Sequence, residues 1–142
     1  MTVVEIYKLK PEAKFKLPLL LSRSPAGFPS PADDYIEERI DLNKKLIRHP
    51  EATYLIRVMG DSMVGDRIED GDFLVVDRAL ETGHNDIILG VVNGEFTVKR
   101  LIKKADILYL VATNPKYPPF EITPEVDFEI WGKVTYIFHP AV

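Results

Sequence analysis

The sequence predicts a mainly β protein with one short helix and an extended N-terminal arm. Short segments rich in β-branched and aromatic residues recur from Thr53 onward, and turn signals separate them. Prolines instead crowd the start of the chain, where each one removes a backbone donor and disfavours helix just before it. We therefore expect residues 1–32 to form the arm and residues 33–142 to form one partly closed or sandwich-like β-rich body.

The arm has two parts. Met1–Lys10 alternates loosely between apolar and polar residues, so it could add a strand to a sheet. Ser22–Pro31 contains prolines at short intervals and is neither a helix nor a central strand. This second part is expected to be extended and accessible.

One good helical pattern follows the arm, over Asp33–His49. Isoleucines recur there at spacings of four and seven, which places them on one helical face. Within this segment Asp41 is a suitable N-cap for a shorter helix that begins at Leu42. Pro50 ends either helix.

The rest of the chain is expected to form strands. Asn93-Gly94 between two of them is a strong hairpin signal, because both residues tolerate the left-handed backbone of a tight turn. In the strand after that turn, alternation puts Lys99 on one face and Val98 on the other, and periodicity does not decide which face is buried. The expected strands are Tyr54–Val58, Phe73–Val76, Ile87–Val92, Phe96–Leu101, Ile107–Val111 and Phe128–Phe138.

Composition excludes several classes of function. A formal net charge of −4 argues against a protein whose main task is to bind nucleic-acid phosphates. The absence of cysteine excludes disulfides, thiolate metal sites and cysteine nucleophiles, and it fits a cytoplasmic protein. No apolar run is long enough for a membrane span or the core of a signal peptide.

The histidines and acidic residues suggest neither a metal site nor a cofactor. His49, His84 and His139 lack the spacing of ligands and are expected at the surface or at a helix end. The acids between Asp61 and Asp72 depart from the calcium-loop pattern, so we interpret them as solvated turn residues. No metal and no cofactor are expected.

One serine is placed for chemistry. Ser62 follows the expected strand Tyr54–Val58, and Gly60 would permit the tight backbone that presents a hydroxyl at a strand end. A serine nucleophile needs a base, and no histidine lies in a convincing context. A lysine that burial keeps neutral is the other solution, and Lys99 is the candidate. On this chemistry alone, most such pairs have no catalytic role.

Four motifs in order resemble the LexA/UmuD family of self-cleaving serine peptidases. They are Ala26–Tyr35, Gly60-Asp61-Ser62-Met63, Asp70-Gly71-Asp72 and Glu95–Leu101. The similarity runs from about residue 24 to near the C-terminus. It implies the LexA-like C-terminal peptidase fold of twisted, partly closed antiparallel sheets. A LexA repressor carries a DNA-binding domain ahead of this region, and we expect none here and no specific DNA binding.

The resemblance also implies a role for each site residue. Ser62 would be the nucleophile and Lys99 the general base. The backbone amides of Asp61 and Ser62 would stabilise the oxyanion. The scissile bond would join Ala26 to Gly27.

The function that the resemblance implies is an SOS-response autoprotease. A RecA filament on single-stranded DNA would act as co-protease by favouring a cleavable conformation. The shortened homodimer would then join the UmuC polymerase for error-prone translesion synthesis after DNA damage. We expect a cytoplasmic protein without membrane contact.

Two other hypotheses remain open at this point. The chain could be a non-catalytic dimeric β-platform that only binds the polymerase and RecA. It could also be a general protease of the signal-peptidase kind, which shares serine and lysine chemistry, although no membrane segment is present.

Overall fold

A computed structural model describes residues 1–9, 16–20 and 36–142 of the chain. Over these residues the protein is mainly β with one short helix, which confirms the predicted fold class. The chain forms two compact units, one of Met1–Leu9 with Glu51–Val142 and one of Lys10–Pro50. Ala26 and Gly27 lie outside the described residues, and the division at residue 32 stays a prediction.

In the described residues the elements follow one another as strands, interrupted by a helix near residue 45. They are β1 (Thr2–Lys8), β2 (Lys16–Leu20), β3 (Ile36–Asp41), α1 (Leu42–Leu46), β4 (Thr53–Met59), β5 (Phe73–Asp77), β6 (Ile87–Val92), β7 (Glu95–Lys104), β8 (Ile107–Val111), β9 (Phe120–Ile122) and β10 (Phe128–Phe138). Single 3-10 turns precede β4 at Pro50–Ala52 and follow it at Val64–Asp66.

The larger unit is built on one antiparallel sheet with the order β1-β4-β5-β10-β6-β7-β8-β9. Thr2 of β1 also pairs with Thr97 of β7, so the first six strands of this order close into a ring. Closure leaves β8 and β9 to extend the sheet beyond β7. The expectation that Met1–Lys10 could add a strand is confirmed by the pairing of β1 with β4.

The apolar side chains of this unit form two buried clusters. The larger cluster contains Ile56, Val58, Met63, Ile68, Leu74, Val76, Leu89 and Val98, and the smaller one contains Ile88, Leu101 and Leu110. Strand β7 contributes Val98 to one cluster and Leu101 to the other. Both faces of β7 therefore contact a core, which answers the question that alternation left open.

The predicted hairpin between β6 and β7 is confirmed. Asn93 and Gly94 have φ angles of 48° and 85°, and Val92 pairs with Glu95 across the turn. The Asn93 side chain also accepts a hydrogen bond from the Asp127 amide at 3.0 Å. The turn sets the register that places Lys99 opposite Ile88.

In the smaller unit the structure corrects one prediction. Ile36–Asp41 is strand β3, antiparallel to β2, so the long helix is wrong over this segment. The shorter helix α1 is confirmed, with the Asp41 carboxylate accepting a hydrogen bond from the Asn43 amide at 3.0 Å. A spacing of four positions fits the period of a strand as well as that of a helix, and β-branched isoleucine favours the strand. The pairing partner β2 is distant in sequence. That long-range pairing decides the outcome.

Candidate active site

Ser62 lies in a loop directly after β4, where Gly60 has a φ angle of +108°. Only glycine adopts this backbone readily, so the expected tight turn is present. The Gly60 amide donates to the Asp70 carboxylate at 2.7 Å, which ties the loop to the turn before β5. The Ser62 residue is 3% exposed.

Lys99 reaches this serine from β7. Its Nζ lies 3.0 Å from Ser62 Oγ, within hydrogen-bond distance, although the two residues are 37 positions apart. Burial of the ammonium lowers the pKa of Lys99 below its usual range, because the charged form loses hydration. A hydrogen bond with the Met1 α-amine opposes this shift.

Met1 lies beside Lys99 and contacts strand β7. Its carbonyl accepts a hydrogen bond from the Val98 amide at 3.5 Å. Burial, and then the hydrogen bond with Lys99, lower the pKa of the Met1 α-amine to about 5. Met1 and Lys99 both line an open cleft of about 530 Å³, together with Thr2, Val92, Asn93, Glu95, Phe96, Thr97, Leu110 and Phe120.

A second ion pair ties β7 to the serine loop. The Arg100 guanidinium contacts the Asp66 carboxylate through both oxygens, at 2.5 and 3.2 Å. A hydrogen bond from Arg100 to the Asn85 carbonyl holds the guanidinium from the other side. Since Arg100 follows Lys99 directly, this pair connects the strand of the lysine to the loop of the serine.

The segment after β8 also contacts the serine loop. Asn114 donates to the Asp61 carbonyl through Nδ2 at 3.0 Å and to the Ser62 carbonyl through its backbone amide at 3.1 Å. The Tyr117 hydroxyl donates to the Asp61 carboxylate at 2.6 Å. Sequence analysis missed these contacts. The only local signal was Asn114-Pro115, which is also a common turn signal.

The interpretation of all the acids between Asp61 and Asp72 as solvated turn residues is wrong for two of them. Asp66 forms the ion pair with Arg100, and Asp72 is fully buried. Asp72 accepts a hydrogen bond from the Glu69 amide at 2.8 Å and contacts His139 Nδ1 at 2.7 Å. Arg100 and His139 are far along the chain, so local sequence did not reveal these partners.

The expectation for the histidines is confirmed, since His49, His84 and His139 are all exposed. Among the described residues, no group of three histidine or acidic side chains could hold a metal ion.

Within the described part of the chain, no helix is long and apolar enough to cross a membrane.

The geometry thus places a buried hydroxyl beside an amine whose neutral form burial favours. This pairing suits nucleophilic attack with a lysine base. Residues 18–135 match the family described as peptidase S24-like.

The chain is also similar in sequence to several characterised proteins. Over 128 residues the chain is 45% identical to protein MucA of Salmonella typhimurium, covering 88% of this chain and 87% of MucA. It is 48% identical over 122 residues to protein SamA of Salmonella typhimurium strain LT2, covering 86% and 84%. LexA repressor 1 of Xanthomonas campestris is 37% identical over 123 residues, which is 86% of this chain and 60% of the repressor.

The chain belongs to the peptidase S24 family. Within it, the chain is a UmuD-type member of the LexA/UmuD group of self-cleaving serine peptidases, so the predicted family is confirmed.

Proposed function

We propose that the protein cleaves its own Ala26–Gly27 bond with Ser62 as nucleophile and Lys99 as general base. The observation that carries this proposal is the 3.0 Å distance between Lys99 Nζ and Ser62 Oγ in a buried setting. Membership of the S24 family supports it, and the matched residues 18–135 include the proposed cut.

The first half of the reaction transfers the acyl group. Neutral Lys99 accepts the Ser62 hydroxyl proton while Oγ forms a bond to the Ala26 carbonyl carbon. The amides of Asp61 and Ser62 donate to the resulting oxyanion. When the C–N bond breaks, Lys99 returns its proton to the departing Gly27 amine, leaving Ala26 as an ester on Ser62.

The second half releases the enzyme. Lys99, neutral again, accepts a proton from water as the water oxygen attacks the ester carbon. The ester bond then breaks and Ser62 Oγ recovers the proton. One water is consumed, and the products are a carboxylate at Ala26 and an amine at Gly27.

The biological setting is proposed from the family resemblance. A RecA filament on single-stranded DNA would stimulate the cut, and the processed cytoplasmic homodimer would be the accessory subunit of UmuC in translesion synthesis. The filament supplies no catalytic group in this scheme, because both proton-transfer groups belong to this chain. The filament would instead stabilise a conformation in which the Ala26–Gly27 bond lies beside Ser62.

The test is mass spectrometry of the purified full chain, incubated with and without activated RecA filament. We expect a single new fragment that begins at Gly27. Ser62→Ala and Lys99→Ala should each abolish it, whereas Lys103→Ala, on the exposed end of the same strand, should not. A fragment beginning at Gly27 from either dyad variant would contradict the assignment.

The same variants separate this proposal from the non-catalytic platform. If the chain only binds partners, full-length Ser62→Ala should support mutagenesis as well as the wild type. If processing is required, that variant should fail, and a chain expressed from Gly27 should restore function. Many turnovers of a separate peptide that spans the bond would instead favour a general protease.

A further inference from the structure

Asn114 contacts the nucleophile's backbone on both sides of Ser62. Its side-chain Nδ2 donates to the Asp61 carbonyl at 3.0 Å, and its backbone amide donates to the Ser62 carbonyl at 3.1 Å. The two hydrogen bonds orient the peptide units on either side of the serine. Asn114 itself is 7% exposed, so water competes little for either contact.

The orientation of the first peptide unit has a direct consequence. In a trans peptide the carbonyl and the following N–H point in opposite directions. Since the Asp61 carbonyl points at Asn114, the Ser62 N–H points away from Asn114. Among the described residues, no backbone carbonyl and no side chain accepts a hydrogen bond from the Ser62 amide. The amide is therefore available to an acceptor outside this network.

The Asn114 side chain is itself held in one orientation. Its Oδ1 accepts a hydrogen bond from the Lys116 amide at 3.1 Å, so Nδ2 is the atom that faces Asp61. The Asn114 carbonyl accepts from the Tyr117 amide at 3.1 Å, which closes a turn around the residue. The Nδ2 donor and the Oδ1 acceptor of Asn114 thus have different partners. An aspartate has no N–H to donate and could not satisfy the Asp61 carbonyl.

We propose that Asn114 is a positioning residue that aims the Ser62 amide at the oxyanion formed during cleavage. The inference rests on the proposed function, because it assumes that Ser62 attacks a carbonyl. Asn114 touches no reacting atom and acts through the peptide unit between Asp61 and Ser62. A donor aimed in advance stabilises developing charge without reorganisation at the moment of reaction.

The test measures the self-cleavage rate of the full chain against pH. Asn114→Ala removes the Nδ2 donor and keeps the backbone amide. We expect its plateau rate at high pH to fall about a hundredfold, in the range found when one oxyanion donor is lost. The midpoint of the profile should stay at its wild-type pH, because it reports the burial of Lys99 rather than the direction of the Ser62 amide.

Two further variants keep the test decisive. Asn114→Asp has the same shape and still accepts from Lys116, but it turns an oxygen toward the Asp61 carbonyl, so its plateau should fall at least as far. If Asn114→Ala does not fold in a thermal unfolding assay, Asn114→Asp takes its place. Tyr117→Phe is the matched control, since it removes a contact from the same segment to the Asp61 side chain and leaves the backbone bonds intact.

The outcomes are distinct. A plateau for Asn114→Ala within about threefold of wild type would overturn the proposal, because a lost oxyanion donor should cost far more. A midpoint that moves upward with the plateau retained would also overturn it, since Asn114 would then act through Lys99. An equal loss in Tyr117→Phe would indicate general packing of the loop and overturn it too. Cleavage by Ser62→Ala would instead overturn the proposed function itself.

Discussion

Two polar clusters of the larger unit contain a basic group beside a buried partner, and the two basic groups respond in opposite ways. Beside Ser62, burial lowers the pKa of Lys99. At the other cluster, a hydrogen bond that His139 donates to the buried Asp72 carboxylate raises the pKa of His139, and the nearby Glu69 carboxylate adds to the effect.

The difference lies in the counter-charge. None of the ion pairs between described residues includes Lys99, so no carboxylate there offsets the lost hydration of its ammonium. His139 lies 2.7 Å from the Asp72 carboxylate and 3.3 Å from that of Glu69. Burial without a carboxylate thus favours the neutral form that a lysine base needs, whereas the carboxylates beside His139 favour its charged form.

The largest effect should come from making the charge at position 99 permanent. Lys99→Arg should give no cleavage from about pH 6 to about pH 10, because a guanidinium stays protonated over that range. The measurement is the fraction of chain converted to the fragment beginning at Gly27. Lys103→Arg, an exposed change on the same strand, should retain the wild-type rate. Cleavage by Lys99→Arg would show that position 99 does not supply the base.

A smaller effect should follow from giving Lys99 the counter-charge that His139 has. Thr97 precedes Lys99 by two residues on β7 and lines the same cleft. In Thr97→Asp the new carboxylate should raise the pKa of Lys99 and move the midpoint of the pH–rate profile up by about one unit, about tenfold in rate below the midpoint.

The matched control for that change is Thr97→Asn, which has the same shape without the charge. Its midpoint should equal that of the wild type. If the aspartate and asparagine variants share one midpoint, the neutral state of Lys99 does not depend on the absence of a carboxylate.

The smallest effect concerns stability and follows from His139. Because its folded pKa is raised above the unfolded value of about 6.5, its stabilising contribution is complete below that pH. The contribution is lost as pH rises through the folded pKa. Urea unfolding should therefore show the largest difference in unfolding free energy between wild type and His139→Gln in acid, and the two should converge in base.

The background variant Asp72→Asn provides the control for this linkage. With the main cause of the raised pKa removed, the difference made by His139→Gln should depend less on pH. An unchanged dependence in that background would assign the effect to Glu69 or to another group.

Residue types within a few positions of one another were enough to predict most strands of the larger unit. The predicted strand Ile87–Val92 matches β6 at both ends, and Ile107–Val111 matches β8, because β-branched runs between turn residues are local signals. β9 was missed, since it is only three residues long. Strand β3 was predicted as helix because its isoleucines suit both periods, and only pairing with β2 separates them.

The sequence by itself determined the strands, the Asn93-Gly94 hairpin, the tight backbone at Gly60 and the candidates Ser62 and Lys99. These depend on backbone preferences and on residue types within a few positions. Tertiary structure alone decided that Lys99 Nζ lies 3.0 Å from Ser62 Oγ, that Asp72 is buried against His139, and that Asn114 orients the serine loop. The physical reason is that burial and hydrogen bonding join residues 37, 67 and 53 positions apart, and these pairings exist only once the sheet has closed.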